Sequence, residues 1–373
     1  MHTELCDRFG IQYPIFVFTP SEKVAAAVTR AGGMGVLGCV RFNHPDDLEA
    51  ILQWMDENTD GKPYGVDVVM PAKIPTEGTA VDIDKLVPQE HRDFVEKTLA
   101  DLGVPPLPED ATRNEGTLGW LHSIARSHVE VALRHPIKLI ANALGSPPKD
   151  VIDQVHKAGV PIAALAGSAK HAARHVDNGV DIVVAQGHEA GGHTGEIGSM
   201  VLWPEIADAV GDRAAVLAAG GIGTGRQVAA ALALGAQGVW MGSAFLTSAE
   251  YDLGERLPSG RSVIQEAMLA ATSADTVRRR IYTGKPARLL KSRWTDAWDA
   301  EGAPEPLPMP LQNVLVSGAH QRMSESSDPT TVAMPVGQIV GRMNEIRPVA
   351  DIIAELVEGF EAASRKLDTI RDS

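Results

Sequence analysis

Eight short apolar runs, each followed by a segment with helical periodicity, constrain this 373-residue chain more than any other feature. The runs cover 14–18, 34–37, 64–69, 137–141, 161–166, 181–186, 215–219 and 238–241. Each is short and apolar on both alternating faces, the pattern of a parallel strand covered on both sides. Helices are expected after Ser21, which can cap its helix, and at 45–58, 148–158, 169–178, 201–210 and 225–234. Pro204 is expected in the first turn of its helix, where a missing N–H costs nothing. The chain is therefore of the α/β class. An eightfold βα alternation favours a closed (β/α)8 TIM barrel, and an open doubly wound sheet uses the same units.

The rhythm breaks twice. Residues 71–116 follow the third strand, are rich in Pro, Asp and Glu, and show one clear helix at 89–102. They read as an insertion placed to act as a lid, with a helix at 118–134 bringing the chain back. After Phe245 the alternation is lost through polar and Pro-rich stretches, until an amphipathic closing helix at 347–366. The expected organisation is a barrel core over 1–249, carrying the insertion, and a C-terminal extension over 250–373.

Composition removes several functions. A net charge of −14 argues against a nucleic-acid partner, whose affinity would come from clustered Lys and Arg. No stretch approaches the ~18 apolar residues of a membrane span, and the polar N-terminus shows no signal-peptide pattern. A cytoplasmic enzyme acting on a small molecule is expected. Cys6 and Cys39 lie in no CxxC or Cys/His cluster, so no metal and no disulfide framework is expected.

Chemistry concentrates in three loops that follow strands, on the face where barrel enzymes place their sites. The first is AQGHEAGGHTG at 185–195, where Gln186, His188 and His193 stand among four glycines. His188, Glu189 and His193 resemble a zinc motif only superficially. The histidines are five apart, not four, and Gly191 and Gly192 lie between them. The other two loops are AAGGIGTG at 218–225 and WMGSAF at 240–245, after the seventh and eighth strands. Gly220, Gly221 and Gly223 in one, and Gly242 and Ser243 in the other, suit a phosphate held by backbone N–H groups. The glycine spacing is not a dinucleotide fingerprint, since Arg226 stands at its third glycine.

Taken together, AQGHEAGGHTG and AAGGIGTGRQVAAALALGAQGVWMGSAFL closely resemble the nitronate monooxygenase (2-nitropropane dioxygenase-like) family. AAAVTRAGGMGVLG, YGVDVV and TGKPARLLKSRWT at 283–295 are similar too. The resemblance implies a (β/α)8 barrel that binds FMN. It implies that Gln186 and Gly191, with Gly192 beside them, border the flavin. It also implies that Gly220, Gly221, Trp240, Met241, Gly242 and Ser243 hold the ribityl phosphate, and that His193 is catalytic. Asp67 stands in the third strand where the family usually has an Asn beside the flavin. Val17-Phe18-Thr19-Pro20 replaces the small residues that usually line the pocket.

The activity implied is oxidation of alkyl nitronates to carbonyl compounds and nitrite with O2. The alternative is a flavin reductase driven by NADH or NADPH and acting on a quinone, an enoyl-thioester or an acyl-CoA. A flavin-binding protein without turnover is the third reading. A homodimer is compatible with all three.

Overall fold

A computed structural model of the chain describes residues 1–70, 83–107 and 122–372. The eight apolar runs form one closed parallel barrel, which removes the open-sheet alternative. Its strands are β1 (Ile15–Thr19), β2 (Met34–Gly38), β3 (Gly65–Val68), β4 (Leu139–Asn142), β5 (Ile162–Ala166) and β6 (Ile182–Gln186). A two-residue strand outside the barrel, β7 (Gly192–His193), precedes the last two staves, β8 (Ala215–Ala219) and β9 (Gly238–Met241). β6 pairs directly with β8, and β9 closes the ring on β1 with Met241 opposite Val17.

Strand alternation sorts the side chains into two layers. Phe16, Val36, Ala141, Val184, Leu217 and Trp240 fill the barrel interior. Val66, Val68, Ile140 and Val216 face outward, beneath the helices. Burying each such aliphatic chain contributes roughly 1.5–3 kcal/mol, which is why both faces of the staves are largely apolar. The helix Glu4–Phe9, which its polar sequence conceals, joins the interior through Leu5, Cys6 and Phe9. Phe9 meets Phe16 edge-on at 5.5 Å and so plugs the N-terminal end of the barrel. The C-terminal end is left for chemistry.

Most helices lie where periodicity puts them. Ser21 caps the helix Glu22–Arg30 by accepting from the Val24 N–H. One placement needs correction. The helix Ser199–Val210 starts earlier than expected, so Pro204 is interior to it and not in its first turn. The carbonyl left without a donor belongs to Met200, which is 70% exposed, so water satisfies it at little cost.

The extension shares the barrel's core. Tyr251, Val263, Ile264, Val336 and Ile353 lie in the same buried cluster as Val17, Val216 and Val239. The closing helix, Val349–Asp372, crosses the helix Gly225–Ala233 where glycine is required. A Cβ on Gly225 would sit 2.1 Å from the Leu356 carbonyl oxygen. Two further strands, β10 (Thr276–Arg279) and β11 (Ala287–Leu290), form an antiparallel hairpin, and β11 pairs in turn with β7. The expected helix Gln89–Leu102 packs on the extension, with Val95 and Leu99 clustered against Trp294, Trp298 and Val316. The rest of the insertion at 71–82 and 108–116 lies outside the described residues, and with it the lid expectation. So do 118–121 of the returning helix, which is described over His122–Ala132.

Candidate active site

The barrel mouth is built from the ends of its strands. By alternation, Phe18, Asp67, Gln186 and Trp240 face the interior at this end, whereas Met241 packs outward with Val17 and Val239. Met241 can therefore reach a ligand only through its backbone.

After Gln186 the chain turns, with the Gln186 amide donating to the Gly191 carbonyl at 3.4 Å. β7 then carries Gly192 and His193 into antiparallel pairing with β11, Ala287 opposite His193 and Arg288 opposite Gly192. His193 Nε2 lies 2.7 Å from the Thr283 hydroxyl oxygen. Burial, and then the nearby Lys285 ammonium, push the His193 pKa from 6.5 down to about 4. The ring is densely surrounded yet keeps part of its surface open, and at neutral pH it is uncharged.

The other two chemical side chains of the loop are used by the loop itself. His188 directs Nδ1 at the Gly195 carbonyl, 3.2 Å away. The Glu189 carboxylate accepts from the Ser199 N–H and hydroxyl, the latter at 2.8 Å, and so caps the helix Ser199–Val210. Of the three, His193 is left for a substrate. Gly191 is required by the extension, because a Cβ there would come within 2.7 Å of the Val336–Gly337 backbone.

The two glycine-bearing loops expected to hold an anion lie at the ends of β8 and β9.

 Gly220 and Gly221 take consecutive positive φ values of 104° and 68°, which turns the chain sharply off β8. Ser243–Phe245 forms a single 3-10 turn, whose first N–H groups have no partner within the turn. The Ser243 hydroxyl accepts from the Gly337 N–H at 2.9 Å and keeps its own proton to donate. A cavity of about 30 Å³ beside these loops is lined by Gly223, Ala244, Arg342, Glu345 and Arg347, and by none of Gly220, Gly221, Gly242 or Ser243. Backbone N–H groups and a hydroxyl are the donor set a terminal phosphate needs, so the residues present fit that group. Larger clefts of about 660 and 580 Å³, lined by Arg8, His156 and Asp181, lie at the opposite end of the barrel and touch none of these residues.

Asp67 is 2% exposed and, among the described residues, makes no hydrogen bond or ion pair. Burial raises its pKa from 3.8 to about 8, so at neutral pH it is mostly the uncharged acid, able to donate as the amide of an Asn would. Phe18 lies over Gly38, where a Cβ would come within 2.9 Å of its ring, and narrows the mouth on that side. Lys285, missed in the sequence, has no acidic partner among the described residues. Among the described residues there is no group of three or more His, Cys, Asp or Glu placed to hold a metal, and no helix long and apolar enough to cross a membrane.

Comparison with known proteins agrees with this geometry. The model of the nitronate monooxygenase family matches residues 2–359. A Mycobacterium tuberculosis protein named as a monooxygenase, with no substrate in its name, is 46% identical, with 96% of each chain covered. A Bacillus subtilis protein named as a nitronate monooxygenase is 28% identical over 93% of this chain and 94% of its own. Among solved structures, nitroalkane oxidase from Streptomyces ansochromogenes superposes with a TM-score of 0.78 at 26% identity, covering 97% of this chain and 99% of that one. FabK from Thermotoga maritima does so with a TM-score of 0.74 at 26% identity, covering 99% of each.

Proposed function

Since the chain belongs to the nitronate monooxygenase family and is an oxidoreductase, we propose that it binds FMN and oxidises alkyl nitronates to carbonyl compounds and nitrite with O2. The observation that carries this reading is an uncharged His193 at the barrel mouth beside Lys285, which has no acidic partner among the described residues. A nitronate arrives as an anion, so it needs a cation and a hydrogen-bonding partner more than a strong base. Lys285 supplies the charge, and the open edge of His193 supplies the hydrogen bond. A neutral nitroalkane would first have to lose a carbon-bound proton, and a ring this hard to protonate is a poor base for it.

Gly220, Gly221, Gly242 and Ser243 would hold the phosphate of FMN. Asp67, Gln186, Trp240 and the Gly191–Gly192 backbone would border the rest. When bound, FMN would supply the two-electron acceptor and its reaction with O2, chemistry that no side chain here provides. The chain's part is to orient the anion, exclude water with Phe18 and Trp240, and keep His193 uncharged. This reading places the enzyme in the cytoplasm, acting on a small molecule.

The test is aerobic turnover of propane-2-nitronate, with O2 uptake, nitrite and acetone followed together. Nitrite and acetone in equal amounts support the reading, and a protein carrying FMN that consumes no O2 with nitronate sinks it. A reductase driven by NADH or NADPH is the second reading, favoured by the bulk of Phe18 at the mouth.

A further inference from the structure

One phenol at the mouth has no task in the fold. Tyr282 stands in the turn between β10 and β11, directly before Thr283, whose hydroxyl meets His193 Nε2 at 2.7 Å. The turn is held from behind. Gln312, fully buried, donates to the Ile281 carbonyl at 2.9 Å, and a Cβ on Gly284 would come within 2.3 Å of the Met309 nitrogen. The Tyr282 ring stacks on His320, with centroids 4.7 Å apart and planes 18° from parallel. Trp294 in turn meets His320 edge-on at 6.1 Å. The backbone before the phenol and the plane of its ring are therefore both fixed.

The hydroxyl is left over. It makes no hydrogen bond among the described residues. Burial alone lifts its pKa above the usual 10, so protein surrounds the phenol and its proton stays on at neutral pH. Yet the side chain keeps part of its surface open, as His193 does. A group surrounded by protein and still partly open lines an inner space and not the outer surface. Tyr251, in the loop after β9, lies near enough to feel the charge that Tyr282 would carry if ionised. Tyr282 is thus set among the loops that follow β6 and β9, at the C-terminal mouth. Tyr251 cannot share its part, since its own hydroxyl is fully enclosed.

We propose that Tyr282 is a substrate-binding residue whose hydroxyl donates to one oxygen of the bound anion. A nitronate spreads its charge over two oxygens on one nitrogen. Lys285 supplies charge without direction, and His193 serves one oxygen. A second donor, held in plane by His320, orients the other and adds no further cation. The bond is made before and after the carbon loses its electrons, because the same oxygens leave as anionic nitrite. It therefore contributes to binding and not to the chemical step. This inference rests on the reading of the site as one that takes a nitronate.

The experiment compares the flavin-loaded wild type with flavin-loaded Tyr282→Phe, which keeps the ring on His320 and removes only the hydroxyl. Nitrate is a flat anion with the same O–N–O group and no electrons to give. Its binding is titrated by flavin absorbance, and kcat and KM are measured with propane-2-nitronate. The nitrate Kd and the nitronate KM should both rise about ten-fold or more, the order of one hydrogen bond to a charged group. Flavin content and kcat should change little, and the melting temperature should not fall. Unchanged Kd and KM, or a fall in kcat with KM unchanged, overturns the proposal and leaves the functional reading standing. A variant that fails to fold, or melts several degrees lower, also overturns it, because the fold would then be using the hydroxyl. If nitrate binding depends on the hydroxyl but the wild type does not oxidise nitronate, the functional reading fails while the anion contact stands. A wild type that neither binds nitrate nor turns over nitronate overturns both.

Discussion

Arg288 donates both Nε and Nη2 to the backbone carbonyl of His188, each at 3.1 Å, across 100 residues of sequence. It is 4% exposed, and its third nitrogen donates to the Thr276 hydroxyl at 3.0 Å. The guanidinium thus fastens the glycine- and histidine-rich loop to the hairpin of the extension, directly opposite Gly192. A lysine would keep the charge and lose the planar fork. Arg288→Lys should lower stability by about 1.5–3 kcal/mol, the range for hydrogen bonds to a charged group. Amide exchange at residues 188–193 should quicken while exchange in β1–β5 stays as it is. Uniform quickening across the barrel would mean that Arg288 supports the whole fold and not this loop.

His193→Asn keeps a polar side chain and removes the ring. Turnover of neutral nitroalkane, already slow because the ring is a weak base, should fall by at most about 10², the lower end of the worth of a positioned acid–base group. Nitronate turnover should fall less, because the substrate is already an anion, and flavin content should not change. In the wild type, with the His193 pKa near 4, nitronate turnover should stay level down to about pH 5 and decline only below it. Equal and small losses on both substrates would remove His193 from the chemistry.

Asp67→Asn tests the buried acid and restores the residue the family usually carries. The carboxyl ionises near 3.8 when unfolded and about 8 when folded. Between those values the folded state holds the proton and the unfolded state has lost it, so wild-type stability falls as pH rises through this window and levels off above it. The variant lacks this term. Its melting temperature minus that of the wild type should therefore grow from pH 4 to pH 8 by several degrees and then hold steady. A difference independent of pH would show that Asp67 titrates alike in both states.

The barrel was legible because staves covered on both faces must be apolar throughout, and runs such as 182–186 and 215–219 have no competing explanation. The glycine turns off β8 and β9 were legible because Gly220, Gly221 and Gly242 cluster where strands end. What stayed hidden depends on pairings distant in sequence. β7 is two residues long and exists only because β11 lies beside it, so Gly192–His193 reads as plain loop. The segment 283–295 matched the family without a physical reason. The structure supplies one, since it contains Arg288, which fastens the loop to the extension, and Thr283, whose hydroxyl meets His193. The departure at Asp67 was visible in the residue type, but its missing partners were not. The roles of His188 and Glu189 could not be told apart from that of His193 until the Gly195 carbonyl and the Ser199 N–H were seen to take them.

The central claim is that this site takes electrons from a nitronate and not from a nicotinamide. Anaerobic mixing of the purified protein with propane-2-nitronate, NADH and NADPH in separate experiments, followed by flavin absorbance, tests it most directly. The account predicts rapid loss of the oxidised flavin band with nitronate, little change with either nicotinamide, and recovery of the band when O2 is admitted. Rapid bleaching by NADH or NADPH with a flavin inert to nitronate would contradict it.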